Sequence, residues 1–346
     1  MADTTSSGAS SSGLGSRVCI VGAGAIGGWI AAKLALAGED VSVLARGAVL
    51  EKIRNDGIEL HSGGERHVAR VRASSDANEL GPQDIVIVAV KAQSLPPLAA
   101  SLRPLIHPGT AFLPAINGLP WWFLLPPGVP QSGRRLVTVD PDGEVDRVVQ
   151  LGNVVGMSVF ASSSSPAPGV VRHGAGARIV LGEPTSVAGD AISARVAELA
   201  ARFTRAGFDG QASADTRGEI WNKILGNGCF NPVSMLTLSP TDNMIDDPGL
   251  HRLFVRMMKE ALTVGAALGL KLDVDPVARI AQTRKLGHIK TSMLQDLEAG
   301  RPVELEGILG ALVECAEISG VNAPTLDGVL AMARGRARAL AASTGA

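Results

Sequence analysis

The stretch RVCIVGAGAIGGWIAAKLALAGEDVSVLAR, residues 17–46, constrains the fold more than any other part of the chain. It reads as a short apolar strand, a glycine turn, a helix closed by Gly38 and a second apolar strand, a βαβ unit. Gly22, Gly24 and Gly27 stand in GxGxxG spacing between strand and helix. The first glycine permits a tight turn, the second lets backbone approach a pyrophosphate, and the third allows close helix–strand packing. The helix N-terminus adds N–H donors and positive dipole potential for phosphate. The motif is weak alone, but after a strand and opening a helix it predicts a dinucleotide site. That site comprises Gly22, Ala23, Gly24, Ala25, Ile26 and Gly27.

The end of the second strand selects the nucleotide. A site for NAD places a carboxylate there for the ribose 2′-OH, whereas this chain has Arg46. A carboxylate would repel a 2′-phosphate and a guanidinium can bind it in bidentate fashion, so NADPH/NADP+ is expected. Lys91 follows the apolar run IVIVAV, at a carboxyl strand end where open α/β sheets bind ligands. It either contacts the cofactor or is an ordinary loop lysine.

Further strands are predicted at VARVRAS, DIVIVAV and AFLPAI, with a helix at LPPLAASLRPLI. Continuous apolar strands suit a parallel sheet covered on both faces. RRLVTVD, NVVGMSVFA, GVVRHGA and ARIVLGE read as an antiparallel extension. Helices are expected over about 188–206, 217–231, 247–269, 275–298, 302–319 and 325–342. The fold class is therefore α/β: a flexible Ser/Gly-rich tail at 1–16, a Rossmann-like nucleotide domain at 17–213, and an all-helical substrate domain at 214–346.

Composition narrows the function. Of 346 residues 46% are hydrophobic, enough for two substantial cores, and the net charge of −1 offers no basic surface for nucleic acid or acidic lipid. No apolar run reaches the ~18 residues needed to span a bilayer, and no signal peptide is legible. Cys19, Cys229 and Cys315 lack CxxC spacing, which argues against disulfide scaffolding and fits a reducing cytoplasm. No His/Asp/Glu cluster has metal spacing.

IWNKILGNGCFNP, residues 220–232, carries Lys223, Asn227 and Asn231 four apart. At about 100° per residue these drift only about 40° per step and share one helix face, with Ile224, Leu225 and Phe230 turned to burial. Such a face is either a solvated stripe or a site. Asn117, in PAINGLPWWF, follows a strand; locally it reads as an Asn-Gly turn.

GAGAIGG near the start, VKAQ at 90–93, NG at 117–118, WNKILGNGCFNP at 221–232 and TSMLQDLEAGRPVELE at 291–306 occur in this order. Together they resemble the ketopantoate reductase (2-dehydropantoate 2-reductase) family over about residues 17–335. The resemblance implies a Rossmann domain, a helical domain of the 6-phosphogluconate dehydrogenase C-terminal type, and a cleft between them. It implies NADPH-dependent reduction of 2-dehydropantoate to (R)-pantoate, in pantothenate biosynthesis. The family's catalytic lysine falls on Lys223 and its acidic residue on Glu304. Its substrate-binding residues fall on Asn117, Asn227, Asn231 and Ser292, and the same Asn117 borders the cofactor.

The chemistry agrees with these roles. Lys223 can protonate a developing alkoxide, and a desolvated cleft would lower its pKa towards working pH. Asn227, Asn231 and Ser292 offer neutral donors. Glu304 can accept from a substrate hydroxyl and hold the Lys223 ammonium, or be a surface acid on a helix starting near Pro302. His173 reads as structural and Cys229 as packed inward.

Two features depart from the family. Trp121, Trp122 and Phe123 follow the NG turn, as a cleft wall for a bulkier substrate or as a buried wedge. A third asparagine often found ten residues after the second is here Thr241. The segment at 133–150 is an insertion relative to the shortest members. The rival readings are a dehydrogenase or reductase of another, bulkier 2-hydroxy or 2-oxo compound, and a non-catalytic nucleotide-binding regulator. A small-molecule 2-oxo acid is the expected partner, and a homodimer through the helical domain is one arrangement the sequence allows.

Overall fold

The computed structural model describes residues 14–344, so the tail read at 1–16 lies mostly outside the described residues. Strand β1 (Arg17–Val21), helix α1 (Ala25–Leu36) and strand β2 (Asp40–Leu44) form the expected βαβ unit. They are followed by α2 (Gly47–Asp56), β3 (Ile58–Ser62), β4 (Glu65–Ala69) and β5 (Arg72–Ser74). Next come α3 (Ala77–Leu80), β6 (Ile85–Val88), α4 (Leu95–Ala99) and β7 (Ala111–Pro114). A five-stranded parallel sheet has the order β5-β2-β1-β6-β7. IVIV of β6 and AFLP of β7 are buried throughout, as strands covered on both faces must be. Chain order reverses between β1 and β6, which opens the crevice where such sheets bind ligands.

VARVRAS, expected as one strand, is divided between two sheets. Its first residues end β4, which pairs antiparallel with β3, while its last form β5 beside β2. α5 (Glu144–Val148) precedes β8 (Gly156–Ala167) and β9 (Val170–Gly182), and α6 (Ala194–Arg205) precedes β10 (Asp209–Ala212). Of the segments read as an antiparallel extension, NVVGMSVFA runs into β8, while GVVRHGA and ARIVLGE are a single strand, β9. They lie in a second sheet, β10-β9-β3-β4 with β8 on β9. In it β8 pairs antiparallel with β9, but β3 and β10 pair parallel with β9. A bridge between Phe112 and Val154 links this sheet to the first.

RRLVTVD is not a strand. Two of its donors are taken by a carboxylate and others by local turns instead of a neighbouring strand: Val137 and Thr138 N–H groups donate to Glu314 at 2.6 and 2.9 Å, and Val139 and Asp140 N–H groups to the Leu136 carbonyl. Asp140, 1% exposed, accepts from the Val145 and Asp146 N–H groups that open α5. Residues 188–193 are likewise not helical; α6 starts where Ser193 caps the Val196 N–H.

The remainder is helical: α7 (Thr216–Thr237), α8 (Thr241–Asp246), α9 (Pro248–Ala267), α10 (Pro276–Arg284), α11 (Ser292–Glu298), α12 (Ala311–Ser319) and α13 (Pro324–Thr344). The single helix expected over 275–298 is two, broken around Gly287, whose φ of 78° favours glycine. α7 runs past Pro232 because residues 228–235 are all buried, so packing outweighs the lost hydrogen bond. Thr241, where a third asparagine was considered, ties the start of α8 to the Ile289 carbonyl through both its N–H and its hydroxyl.

Trp121, Trp122 and Phe123 are 3, 0 and 0% exposed. Phe123 stacks on Trp221 of α7 at 5.6 Å and Trp121 meets Phe112 of β7 edge-on at 6.0 Å. The aromatic run is a wedge that joins the sheet to the helices in one continuous core. No described helix is long and apolar enough to cross a membrane.

Candidate active site

At the crevice, Gly22 has φ 91°, and a Cβ there would lie 2.7 Å from Val90. A Cβ on Gly27 would lie 1.9 Å from the Gly22 carbonyl oxygen, so α1 can approach the turn only with glycine. At Gly24 a Cβ would meet nothing within 4 Å; its missing side chain leaves open space. That space belongs to a cavity of ≈ 520 Å³ lined by Gly22, Ala23, Gly24, Ala45 and Arg46, and also by Ser75, Asp76 and Asn78. Arg46 is exposed and caps α2 by position only, its guanidinium having no partner among the described residues. Asp76 is occupied, accepting from the Asn78 N–H at 2.9 Å.

Sequence reasoning missed the 75–78 wall. Its only signal was SSDAN, a helix-capping pattern that carries no chemistry of its own. Ala25 and Ile26 begin α1 but do not line the cavity. Lys91 is not in its wall either. Its ammonium pairs with Asp296 of α11 at 2.8 Å and donates to the Pro302 carbonyl, so it joins the sheet to the helical part.

Glu304 is not on a helix starting near Pro302; the first helical residue is Leu305, leading into a π-helical turn at Glu306–Gly310. Free of helix geometry, its carboxylate reaches back to two adjacent strand ends. It accepts from the Ala92 N–H at 3.1 Å and from Asn117 Nδ2 at 3.4 Å. The Asn-Gly turn makes this possible. Gly118 has φ 97°, a Cβ there would lie 2.1 Å from the Gly307 carbonyl, and Leu119 N–H donates to that carbonyl at 2.9 Å. Burial holds the Glu304 carboxyl above the usual range, against the pull of the Ala92 and Asn117 bonds and the Lys91 charge.

Lys223 lies on α7 behind the same strand ends. Burial pushes its ammonium down to about 8, partly offset by the charge of Glu304. The two do not form an ion pair; instead the Lys223 ammonium donates to the Val159 carbonyl of β8 at 2.8 Å. Val159 is thus a holder that the sequence did not signal, because any residue could supply a carbonyl. Lys223 lines a small pocket with Ile116, Gly118, Trp122, Ser158 and Ile224, whose free volume of ≈ 10 Å³ is about one water. The buried indole N–H of Trp122 finds no partner there.

The other residues of the α7 face are partly covered. Asn231 is 6% exposed and Asn227 half-buried, so the face is no solvated stripe, while Ile224, Leu225 and Phe230 opposite are in the core. Ser292 begins α11, which packs on α7, yet it is exposed, and the hydrogen bonds of Lys223 and Glu304 go to other residues. His173 stacks on Trp29 at 4.8 Å with its ring nitrogens bound to Ser62 and Gly176, a structural role. Cys229 is buried, and burial pushes its thiol well above the ordinary range, which removes it as a nucleophile. Among the described residues no group of three or more His, Cys, Asp or Glu could hold a metal ion.

Comparison with known proteins agrees with this architecture. Residues 18–186 match the family model for ketopantoate reductase PanE/ApbA, and residues 215–337 match the model for its C-terminal part. A 2-dehydropantoate 2-reductase of Mesorhizobium japonicum is 42% identical over 319 residues, covering 92% of this chain and 97% of the relative. Among solved structures, a Ralstonia solanacearum MolK2 protein assigned as a ketopantoate reductase is 43% identical with a TM-score of 0.89, covering 94% and 98% of the two chains. The 2-dehydropantoate 2-reductase of Methylococcus capsulatus is 30% identical with a TM-score of 0.77, covering 92% and 95%.

Proposed function

The chain belongs to the ketopantoate reductase family, and from that premise we propose that it reduces a 2-oxo acid to the 2-hydroxy acid with NADPH in the cytoplasm, 2-dehydropantoate to (R)-pantoate being the foremost reaction. The observation that carries the reading is Lys223: an ammonium pushed down to about 8, enclosed at the strand ends of a nucleotide crevice. A proton donor for reduction at neutral pH needs that property.

The residues present fit a nicotinamide dinucleotide. The Gly22–Gly27 turn would take the pyrophosphate, the open space at Gly24 admits it, and the unpartnered Arg46 would hold a 2′-phosphate. When bound, the reduced nicotinamide supplies the hydride. Lys223 then gives its proton to the forming alkoxide and stabilises the negative charge on that oxygen. Asn227 and Asn231 orient the acid along α7. Glu304, fixed by Ala92 and Asn117, accepts from the substrate hydroxyl and keeps Lys223 protonated by its charge. Nucleotide and helical domains, divided at about residue 213, each supply one half of the site.

The test is NADPH oxidation across a panel of 2-oxo acids that includes 2-dehydropantoate and bulkier homologues. Turnover is expected, highest with 2-dehydropantoate. Binding of NADPH with no turnover of any member would replace the enzyme by a nucleotide-binding regulator, and a strong preference for bulky acids would move the substrate assignment.

A further inference from the structure

Glu304 is held at the strand ends by a backbone turn of an uncommon kind. Residues Glu306–Gly310 are π-helical, and the Ala311 N–H donates to the Glu306 carbonyl, five residues back. Such turns are rare and hold one residue more than the α-helical turn they replace. Relaxation to α register would rotate the residues before the turn by about 100° around the axis. Glu304 would go with them, because the Ile308 N–H donates to its carbonyl at 3.3 Å. Its carboxylate would then leave the Ala92 N–H and the Asn117 amide.

Glu306, the first residue of the π-turn, is gripped from another helix. Its two carboxylate oxygens accept from Nε and Nη2 of Arg334 on α13, at 2.8 and 2.6 Å, as a bidentate pair. Two glycines make room for the arrangement. A Cβ on Gly310 would collide with Glu306 Oε2, and a Cβ on Gly307 would lie 3.0 Å from the Ala92 Cβ. The turn thus closes over its own carboxylate on one side and onto the end of β6 on the other. α13 in turn packs on α7, the helix of Lys223. A half-exposed ion pair adds little to stability, so a bidentate one seated on a rare backbone turn points to a geometric role.

We propose that Arg334 is a positioning residue: it clasps Glu306, holds the π register and thereby seats the Glu304 carboxylate on Ala92 and Asn117. The inference rests on the proposed reduction and adds to it a residue that acts only through Glu304. The charged groups that bear on Glu304 are Lys91, Asp296 and Lys223, and those that bear on Arg334 are Glu306, Asp327 and Glu317. Opening the clasp removes the Ala92 and Asn117 bonds, both of which pull the Glu304 carboxyl down, so burial would raise it further. Charge alone acts differently. Removing the Arg334 cation favours protonated Glu304, whereas removing the Glu306 anion favours ionised Glu304. Displacement in the same direction by both is therefore the signature of positioning.

The test compares Arg334→Gln, Glu306→Gln and the double variant with the parent. kcat/KM for a 2-oxo acid should fall about 10- to 100-fold in each, as for a reacting group displaced by about 1 Å. The acid limb of its pH profile should move to higher pH in both single variants, and the double variant should be no worse than either. The dissociation constant for NADPH should stay within about twofold. Arg334→Lys, which keeps the charge but not the fork, should recover part of the loss. Amide hydrogen exchange reads the clasp without turnover: Ala92 and Leu119, whose N–H groups donate to Glu304 and Gly307, should lose protection in both Gln variants while α9 keeps its own. Should the parent reduce no 2-oxo acid, the reductase reading falls, while faster exchange at these two amides still supports the clasp. Acid limbs displaced in opposite directions, kcat/KM within twofold of the parent, or exchange at Ala92 and Leu119 equal in parent and variants would overturn it.

Discussion

At the scale of single residues, Lys223 stands between stability and chemistry. Its folded pKa of about 8 lies below the ordinary lysine value. The folded state therefore disfavours the charged form, which costs stability below pH ~8, and the cost fades as pH rises from there towards the unfolded value. Lys223→Met should raise the melting temperature at pH 7 while lowering kcat by about 10²–10⁴, the range for a lost general acid. Because the ammonium is the donor, parent activity should fall as pH rises through about 8, and the residual activity of the variant should lack that limb. A variant that retains near-normal turnover would remove α7 from the mechanism. Arg46 gives the second residue-scale prediction. Its side chain makes no hydrogen bond or ion pair among the described residues, so Arg46→Asp should leave the fold intact and invert or abolish a preference for NADPH over NADH. Equal dissociation constants for both cofactors in the parent would sink the 2′-phosphate reading.

At the scale of elements, the Asn-Gly turn after β7 shows why part of the site was legible and part was not. Its φ of 97° at Gly118 follows from local turn chemistry and could be read from the dipeptide. That it docks on the Gly307 carbonyl, and so carries Asn117 to Glu304, depends on a contact with a residue far along the chain. The βαβ unit and the α7 face were readable because each rests on a local period. RRLVTVD was misread because alternation predicts a strand only where a neighbouring strand exists to accept its donors, and here Glu314 and local turns take that place. The aromatic wedge left two readings open, and only burial could decide between them. Gly118→Ala should strain the turn by about 1–2 kcal/mol for the backbone alone, with the Gly307 clash added. Activity should fall by more than about tenfold because Asn117 and Glu304 separate, with NADPH binding little changed. Thermal melts alongside steady-state kinetics would check this. A Gly118→Ala variant with the parent's kcat and melting temperature would show that the turn is not a positioning device.

At the scale of the whole molecule, the site exists only where the sheet meets the helices, and Lys91 is the contact that makes this testable. It sits at the end of β6, pairs with Asp296 of α11 at 2.8 Å, and its charge opposes the burial that raises the Glu304 pKa. Glu304 is on the other half of the molecule, so an electrostatic link between the two reports that the halves are closed on each other. Lys91→Met removes a positive charge, which favours the protonated carboxyl and raises the Glu304 pKa further. If ionised Glu304 is the acceptor for the substrate hydroxyl, activity must fall as pH drops through the Glu304 pKa. The acid limb of the kcat profile should then move to higher pH in Lys91→Met, while the alkaline limb set by Lys223 stays near pH 8 or drops slightly. Asp296→Asn should move the acid limb the other way, since it deletes a negative charge that raises the Glu304 pKa. Opposite displacements from two residues in one ion pair distinguish electrostatic coupling from simple loosening, which would act in the same direction for both. An acid limb that both variants leave in place would mean that Glu304 titration does not govern turnover, and that the contact between the halves serves only to hold them together.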